Sequence, residues 1–217
     1  MGVVSSSSKE KVLEAAITLF QVKGFHGTSV RDIALKANVN VALVSYYFGG
    51  KQGLLEQLNV QFLEGYIQAM EQATEERLGQ SSHEKLLAVM EQVLLYEQQA
   101  PSLARLVLRE MTLDSTLVRE IMSTYMRKEK HLLETILRQG MGNQEFRKQP
   151  LDLLLLHIRT MMTMPFLQPH YLRELYQLSV NDPSFIKRYM VHVNDWMAAC
   201  LLKKPIASSR LVIHLDS

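Results

Sequence analysis

The fold class this sequence predicts is all-α, and three observations carry the prediction. Only six prolines and ten glycines interrupt 217 residues. No alternating Val/Ile/Thr run of the kind that makes a half-buried strand occurs. Apolar residues instead return every third or fourth position, which places them on one face of a helix.

Each element can be justified in order. Ser7 and Glu10 have capping-box spacing, so the first helix begins there. Val12, Ala15, Ala16, Leu19 and Phe20 then form one apolar face, and Gly24 after Lys23 is a C-terminal stop. Thr28 or Ser29 caps a second, short helix with Val30, Ile33, Ala34 and Ala37 inward. Asn38 and Val39 make a tight turn, Asn40 caps a third helix through Phe48, and Gly49-Gly50 end it. Two short helices joined by so small a turn must cross steeply, which makes a helix-turn-helix of Thr28 to Phe48.

A long fourth helix follows from about Lys51 to Gln72 or beyond. After the polar break at 79–82, further helices are expected at about 83–99, 102–112, 115–139, 150–164, 169–178 and 183–203. Pro101, Gly140, Pro150, Pro165, Pro169 and Pro183 punctuate them. The expected domains are a helix-turn-helix domain at 7–66, a helical dimerisation domain at 67–205 and a tail at 206–217. Helices 150–164 and 183–203 are the most apolar late ones and are expected to form a four-helix dimer interface.

Composition narrows the class. Hydrophobic residues at 47% and charged residues at 21% suit a globular chain with a core. The net charge is +2, and the excess lies in residues 1–60, where Lys9, Lys11, Lys23, Arg31, Lys36 and Lys51 face Glu10, Glu14, Asp32 and Glu56. Such an excess points only weakly to nucleic acid. Cys200 is the only cysteine, which excludes an intramolecular disulfide and fits a reducing cytosol. No secretory pattern opens the chain, and Leu151 to Leu167 is too short and too charged to span a bilayer, so no membrane is expected. Met1 to Ser6 matches a myristoylation pattern that no second membrane signal accompanies.

The third helix is the candidate reader. Val44 and Phe48, four apart, should face the core, leaving Val41, Ala42, Leu43, Ser45, Tyr46 and Tyr47 outward. The apolar side chains suit thymine methyls, Ser45 suits several base edges, and the tyrosine hydroxyls suit phosphates. Thr28 and Ser29 at a helix N-terminus, Lys51 at the next, and Arg31 and Lys36 complete the expected phosphate grip. Polar base-reading capacity is therefore small, and specificity would draw on DNA shape or on several dimers along one site.

The segment TSVRDIALKANVNVALVSYYFGGKQGLL (28–55) closely resembles the TetR-type regulator signature. The resemblance implies an Ω-shaped homodimer on a pseudo-palindrome, with a helical C-terminal half that supplies the dimer interface and often a ligand cavity. Ser45 departs from the Tyr or Asn of many members, and Gly50 and Gly53 replace a Ser cap and an acidic residue. DSTLVREIMSTYMRKEKHLL (114–133), MPFLQPHYL (164–172) and DPSFIKRYM (182–190) with Trp196 resemble RefZ-type division regulators of spore-forming Bacillus relatives. That resemblance implies origin-proximal binding and restraint of FtsZ-ring assembly, in sporulation as well as cell division. The expected location is cytoplasmic and nucleoid-associated.

Enzymatic chemistry finds no support. The seven histidines show no paired metal spacing, His131 and Glu134 are ordinary helix neighbours, and no nucleophile–base arrangement can be argued, so neither cofactor nor metal is expected. Met122, Met126, Met161, Met162 and Met164 read as core fill, with an adaptable pocket for a small apolar ligand as the alternative. Arg105, Arg109, Arg119 and Glu120 form the candidate protein-partner surface, FtsZ being the partner the resemblance implies. A ligand-responsive repressor is the rival function, and a helical interaction module without DNA binding is a third.

Overall fold

The computed structural model describes residues 7–113 and 115–203, and they fold into ten α-helices with no strand. The segment 206–217 and the pattern at Met1 to Ser6 lie outside the described residues. Helices α1 (Ser8–Lys23), α2 (Val30–Ala37) and α3 (Val41–Phe48) form a head, and α4 (Lys51–Glu75) leads from it into the body. The body comprises α5 (Ser82–Gln99), α6 (Pro101–Glu110), α7 (Ser123–Gly142), α8 (Leu151–Leu167), α9 (Pro169–Tyr176) and α10 (Phe185–Cys200).

Local chemistry sets the boundaries. The Ser7–Glu10 capping box is formed in both directions, and a second one, Ser81–Glu84, opens α5. Glu145, just after α7, accepts from the Ser82 amide at 2.7 Å, a carboxylate at a helix N-terminus. Asn38 turns left-handed at φ 53°, and the Asn40 side chain accepts from the Ala42 amide at 2.9 Å. One core runs through head and body, from Val12, Phe20, Ile33 and Val44 through Leu54, Leu58 and Phe62 to Leu94, Met122, Ile158 and Met197. The expected division at residue 66 falls inside α4, so the two parts are joined by a continuous helix.

Two expectations are corrected. The helix expected over 115–139 opens with a π-helical turn, Val118–Met122, before α7 proper. Pro165 does not end its helix but lies inside the last turn of α8. Proline removes the amide that would bond the carbonyl four residues back. That carbonyl, of Met161, instead accepts from the Tyr189 hydroxyl of α10 at 2.9 Å, so the interruption is satisfied and the helix runs on.

Candidate nucleic-acid interface

The reading helix is held by its two buried residues, Val44 and Phe48. Opposite them Val41 (41% exposed), Tyr46 (81%) and Tyr47 (42%) reach solvent, together with Ala42 and Ser45. Leu43 is half-buried and contributes less to that face than its position on the helix suggested. The Tyr46 and Tyr47 rings meet edge-on with centroids 5.2 Å apart, which restrains both hydroxyls on the outer surface. The surface thus offers methyls, one serine hydroxyl and two phenols to a groove, and no side chain able to make a bidentate base contact.

Three residues of the expected phosphate grip have partners within the protein. Thr28 is 2% exposed, and its hydroxyl donates inward to the Gly24 carbonyl at 2.8 Å. It fastens the end of α1 to the start of α2. Ser29 donates to Asp32 Oδ2 at 2.7 Å and accepts from the Asp32 amide at 3.1 Å, so its hydroxyl belongs to a capping box. The Asp32 carboxylate itself occupies the N-terminal end of α2. Hydrogen bonds from the Ser29 side chain and backbone hold its pKa down at about 2, with Lys23 adding to the effect.

Lys51 is the third. Its ammonium lies 4.3 Å from the centre of the Phe25 ring and donates to the Phe25 carbonyl at 2.7 Å. The lysine ties α4 to the α1–α2 connection, and only its remaining hydrogens are available to a phosphate. Arg31 and Lys36 stay exposed on α2. The structure adds Lys9, whose ammonium stands 5.9 Å from the Phe48 ring and so brings a cation of α1 beside the end of the reading helix. Sequence spacing could not find it, because the contact depends on how α1 crosses α3.

The start of α4 confirms the departure at Gly50, which caps the helix without a side-chain hydrogen bond at φ 109°. Gly53 has its own reason. A Cβ there would run into the Phe48 carbonyl, so glycine lets α3 end close against α4.

In the body, the four candidate partner residues do not behave as one solvated face. Arg105 Nη1 lies 3.1 Å from His170 Nε2 of α9. Arg109 donates to the Phe20 carbonyl of α1 at 3.1 Å and stands beside Glu110, which removes it from a free surface. Arg119 and Glu120 are exposed on the π-helical turn.

The interior holds a cluster that was missed. Glu129 accepts from the Tyr66 hydroxyl at 3.1 Å and from Arg159 Nη1 at 2.7 Å. Nearby Glu97 is fully buried with both carboxylate oxygens unpartnered, and burial drives its pKa well up, with the Glu129 charge adding to the rise. A glutamate one turn beyond Val93 and Leu94, on the core stripe of α5, was the available signal. Phe62, Tyr66, Met111, Met126 and Arg159 line a narrow gap of about 10 Å³, room for one water. Met122 and Met162 are fully buried core, as their spacing suggested. Among the described residues there is no group of three or more His, Cys, Asp or Glu arranged to hold a metal, and no helix is long and apolar enough to cross a membrane.

A capped three-helix head with an exposed third helix, carried on a larger helical body, defines a DNA-binding transcriptional regulator of the helix-turn-helix class. Residues 12–58 match bacterial regulatory proteins of the tetR family. The chain is 44% identical over 191 residues to the probable HTH-type transcriptional regulator YttP of Bacillus subtilis, covering 88% of this chain and 92% of that one. The chain belongs to the TetR family. Its fold is shared by PfmR of Thermus thermophilus (TM-score 0.73, 23% identity, 87% of this chain and 97% of that one). It is shared also by Bacillus subtilis FadR in complex with stearoyl-CoA (TM-score 0.69, 18% identity, 87% and 97%).

Proposed function

We propose that the protein binds a pseudo-palindromic DNA site as a homodimer, in the cytoplasm and on the nucleoid. The two α3 helices enter major grooves about one helical turn, or a multiple, apart. The observation that carries this reading is the outer face of α3, where Val41, Ala42, Ser45, Tyr46 and Tyr47 are exposed while Val44 and Phe48 anchor the helix. The dimer is assigned to α8 and α10, whose exposed Leu153, Leu156 and Val191 leave apolar surface for a second copy to cover. Tyr46→Ala tests the reader: a gel shift on a selected site is expected to weaken at least about tenfold, the loss of one good contact. Unchanged affinity would remove α3 from the interface.

The finer role we propose is that of a chromosome-positioned inhibitor of FtsZ-ring assembly in division and sporulation. Its support is the resemblance of 114–133, 164–172 and 182–190 to RefZ-type regulators. Arg105, Arg119 and Glu120 remain the candidate contact with FtsZ. The alternative is a ligand-responsive repressor with a small apolar effector. An open, mostly apolar groove of about 350 Å³ between α7 and α8, lined by Met126, Leu133, Leu155 and Leu156, favours it. High-level expression separates the two readings. Filamentous cells support division control, and normal division at verified protein level argues for the repressor.

A further inference from the structure

Head and body meet along a seam between α1 and α6. The last four carbonyls of a helix have no partner within it. In α1 one of them, that of the fully buried Phe20, is taken by Arg109 of α6. A guanidinium at a helix C-terminus is favoured by charge as well as by the hydrogen bond. One residue further on, the Gln21 side-chain amide donates to the Ser102 carbonyl at the opposite end of α6. Ser102 and Arg109 are about two helical turns apart. The last turn of α1 is therefore fastened to α6 at two separated points, which fixes its rotation as well as its distance.

Buried Glu110 lies on the same seam, beside Arg109 at 3.9 Å. Burial pushes its carboxyl up, and the charges of Arg109 and of His26 in the head oppose that rise. The reading helix is in turn packed on α1 through α2. Without the seam, the head would hang on α4, whose N-cap Gly50 supplies no side-chain cap and whose first turn contains Gly53.

We infer that Arg109 and Gln21 are spacing-determining residues: by fastening α1 to α6 they set the distance between the two reading helices of the dimer, and so the half-site separation the protein accepts. This rests on the homodimeric reading above. In a two-fold dimer any tilt of the heads displaces both readers in opposite senses, so a small slackening at the seam is doubled at the DNA. Since α3 has little polar base chemistry, separation carries a larger share of the selectivity.

The test uses the full-length chain and a palindromic duplex selected in vitro by the wild type. Companion duplexes carry one base pair added or removed between the half-sites, and affinity is read by fluorescence anisotropy. Wild type is expected to lose about tenfold or more for either change, as half-site geometry requires. Arg109→Ala is expected to bind all three duplexes within about threefold of one another, and Arg109→Lys, which can still donate to the Phe20 carbonyl, to keep most of the discrimination. Gln21→Ala should lie between them and serves alone if Arg109→Ala does not fold as a dimer by circular dichroism and sedimentation. Discrimination equal to wild type in the folded variants overturns the inference. An equal loss at every spacing also overturns it, because that reports only fewer competent molecules. A wild type that binds no duplex as a dimer would instead sink the homodimeric reading itself.

Discussion

Glu97 offers the sharpest test of how this body is held together. It is fully buried on α5, it accepts no hydrogen bond among the described residues, and the nearby cation Arg159 is engaged by Glu129. Both carboxyls are raised by burial, Glu97 the more strongly. The folded protein therefore keeps a proton on Glu97 that the unfolded chain gives up near 4.5. The sign follows: the associated stability is complete below the unfolded value and is lost as pH rises through the folded one, at about 1.4 kcal/mol for each tenfold difference in proton affinity. An unpartnered buried polar group costs about 1–3 kcal/mol. Glu97→Leu is thus expected to stabilise the protein at pH 8, raising Tm by several degrees at about 2–4 °C per kcal/mol. Glu97→Gln, which keeps the shape, should leave Tm nearly unchanged at pH 5 and raise it at pH 8. Thermal melts of the three proteins at both pH values decide the matter. Parallel pH dependence in wild type and Glu97→Gln would refute the reasoning, since it would mean that Glu97 does not change its protonation on unfolding.

Four further outcomes follow from named contacts. Arg159→Ala leaves the buried Glu129 carboxyl without its cation and should cost about 3 kcal/mol in denaturant melts, the low end for a broken buried pair because Arg159 is a third exposed. Lys51→Ala should lower thermal stability by about 1–2 kcal/mol through the lost Phe25 contacts, and an unchanged Tm would return the lysine to a purely phosphate-binding role. Lys9→Ala should weaken DNA binding with little change in Tm and reduce the slope of log affinity against log salt by about 0.9, one phosphate contact. Asp32→Asn removes a charge whose pKa of about 2 marks a stabilising role above 3.8 that is lost as pH falls through 2; it should lower Tm at pH 7, remove that acid dependence, and tighten DNA binding at low salt.

Much of the fold was legible because local signals agreed with one another. The capping boxes, the Asn38–Asn40 turn and the apolar stripes placed all ten helices within a few residues. What escaped depended on tertiary partners. Pro165 reads as a stop unless Tyr189 is known to satisfy the Met161 carbonyl. The site was legible as a surface but not as a set of roles. Spacing identified Val44 and Phe48 as anchors and Tyr46 as exposed, whereas Thr28, Ser29 and Lys51 were assigned to phosphates by residue type. Each is a hydrogen-bonding residue at a helix start, and nothing in its local sequence tells whether its partner is a ligand or the protein's own backbone. The Arg109 contact escaped for the same reason, since its partner lies 89 residues away.

These reassignments change where the grip on DNA must come from. The start of α2 is not an empty anion site, because the Asp32 carboxylate already lies there, hydrogen-bonded to Ser29 with its pKa held down at about 2. A phosphate placed beside it would meet a like charge, and the helix dipole that could have attracted it is satisfied. On the proposed reading the positive field rests on cations that stand around the reader: Lys9 near Phe48 of α3, Arg31 and Lys36 along α2. Contacts of that kind hold a duplex without reading it. With an almost apolar face on α3, the proposed reading gives selectivity to methyl contacts, groove shape and the separation of the two heads. A head fastened to its body at Phe20, Gln21 and Phe25 is what such a protein requires, because geometry can discriminate only if the parts that measure it do not yield.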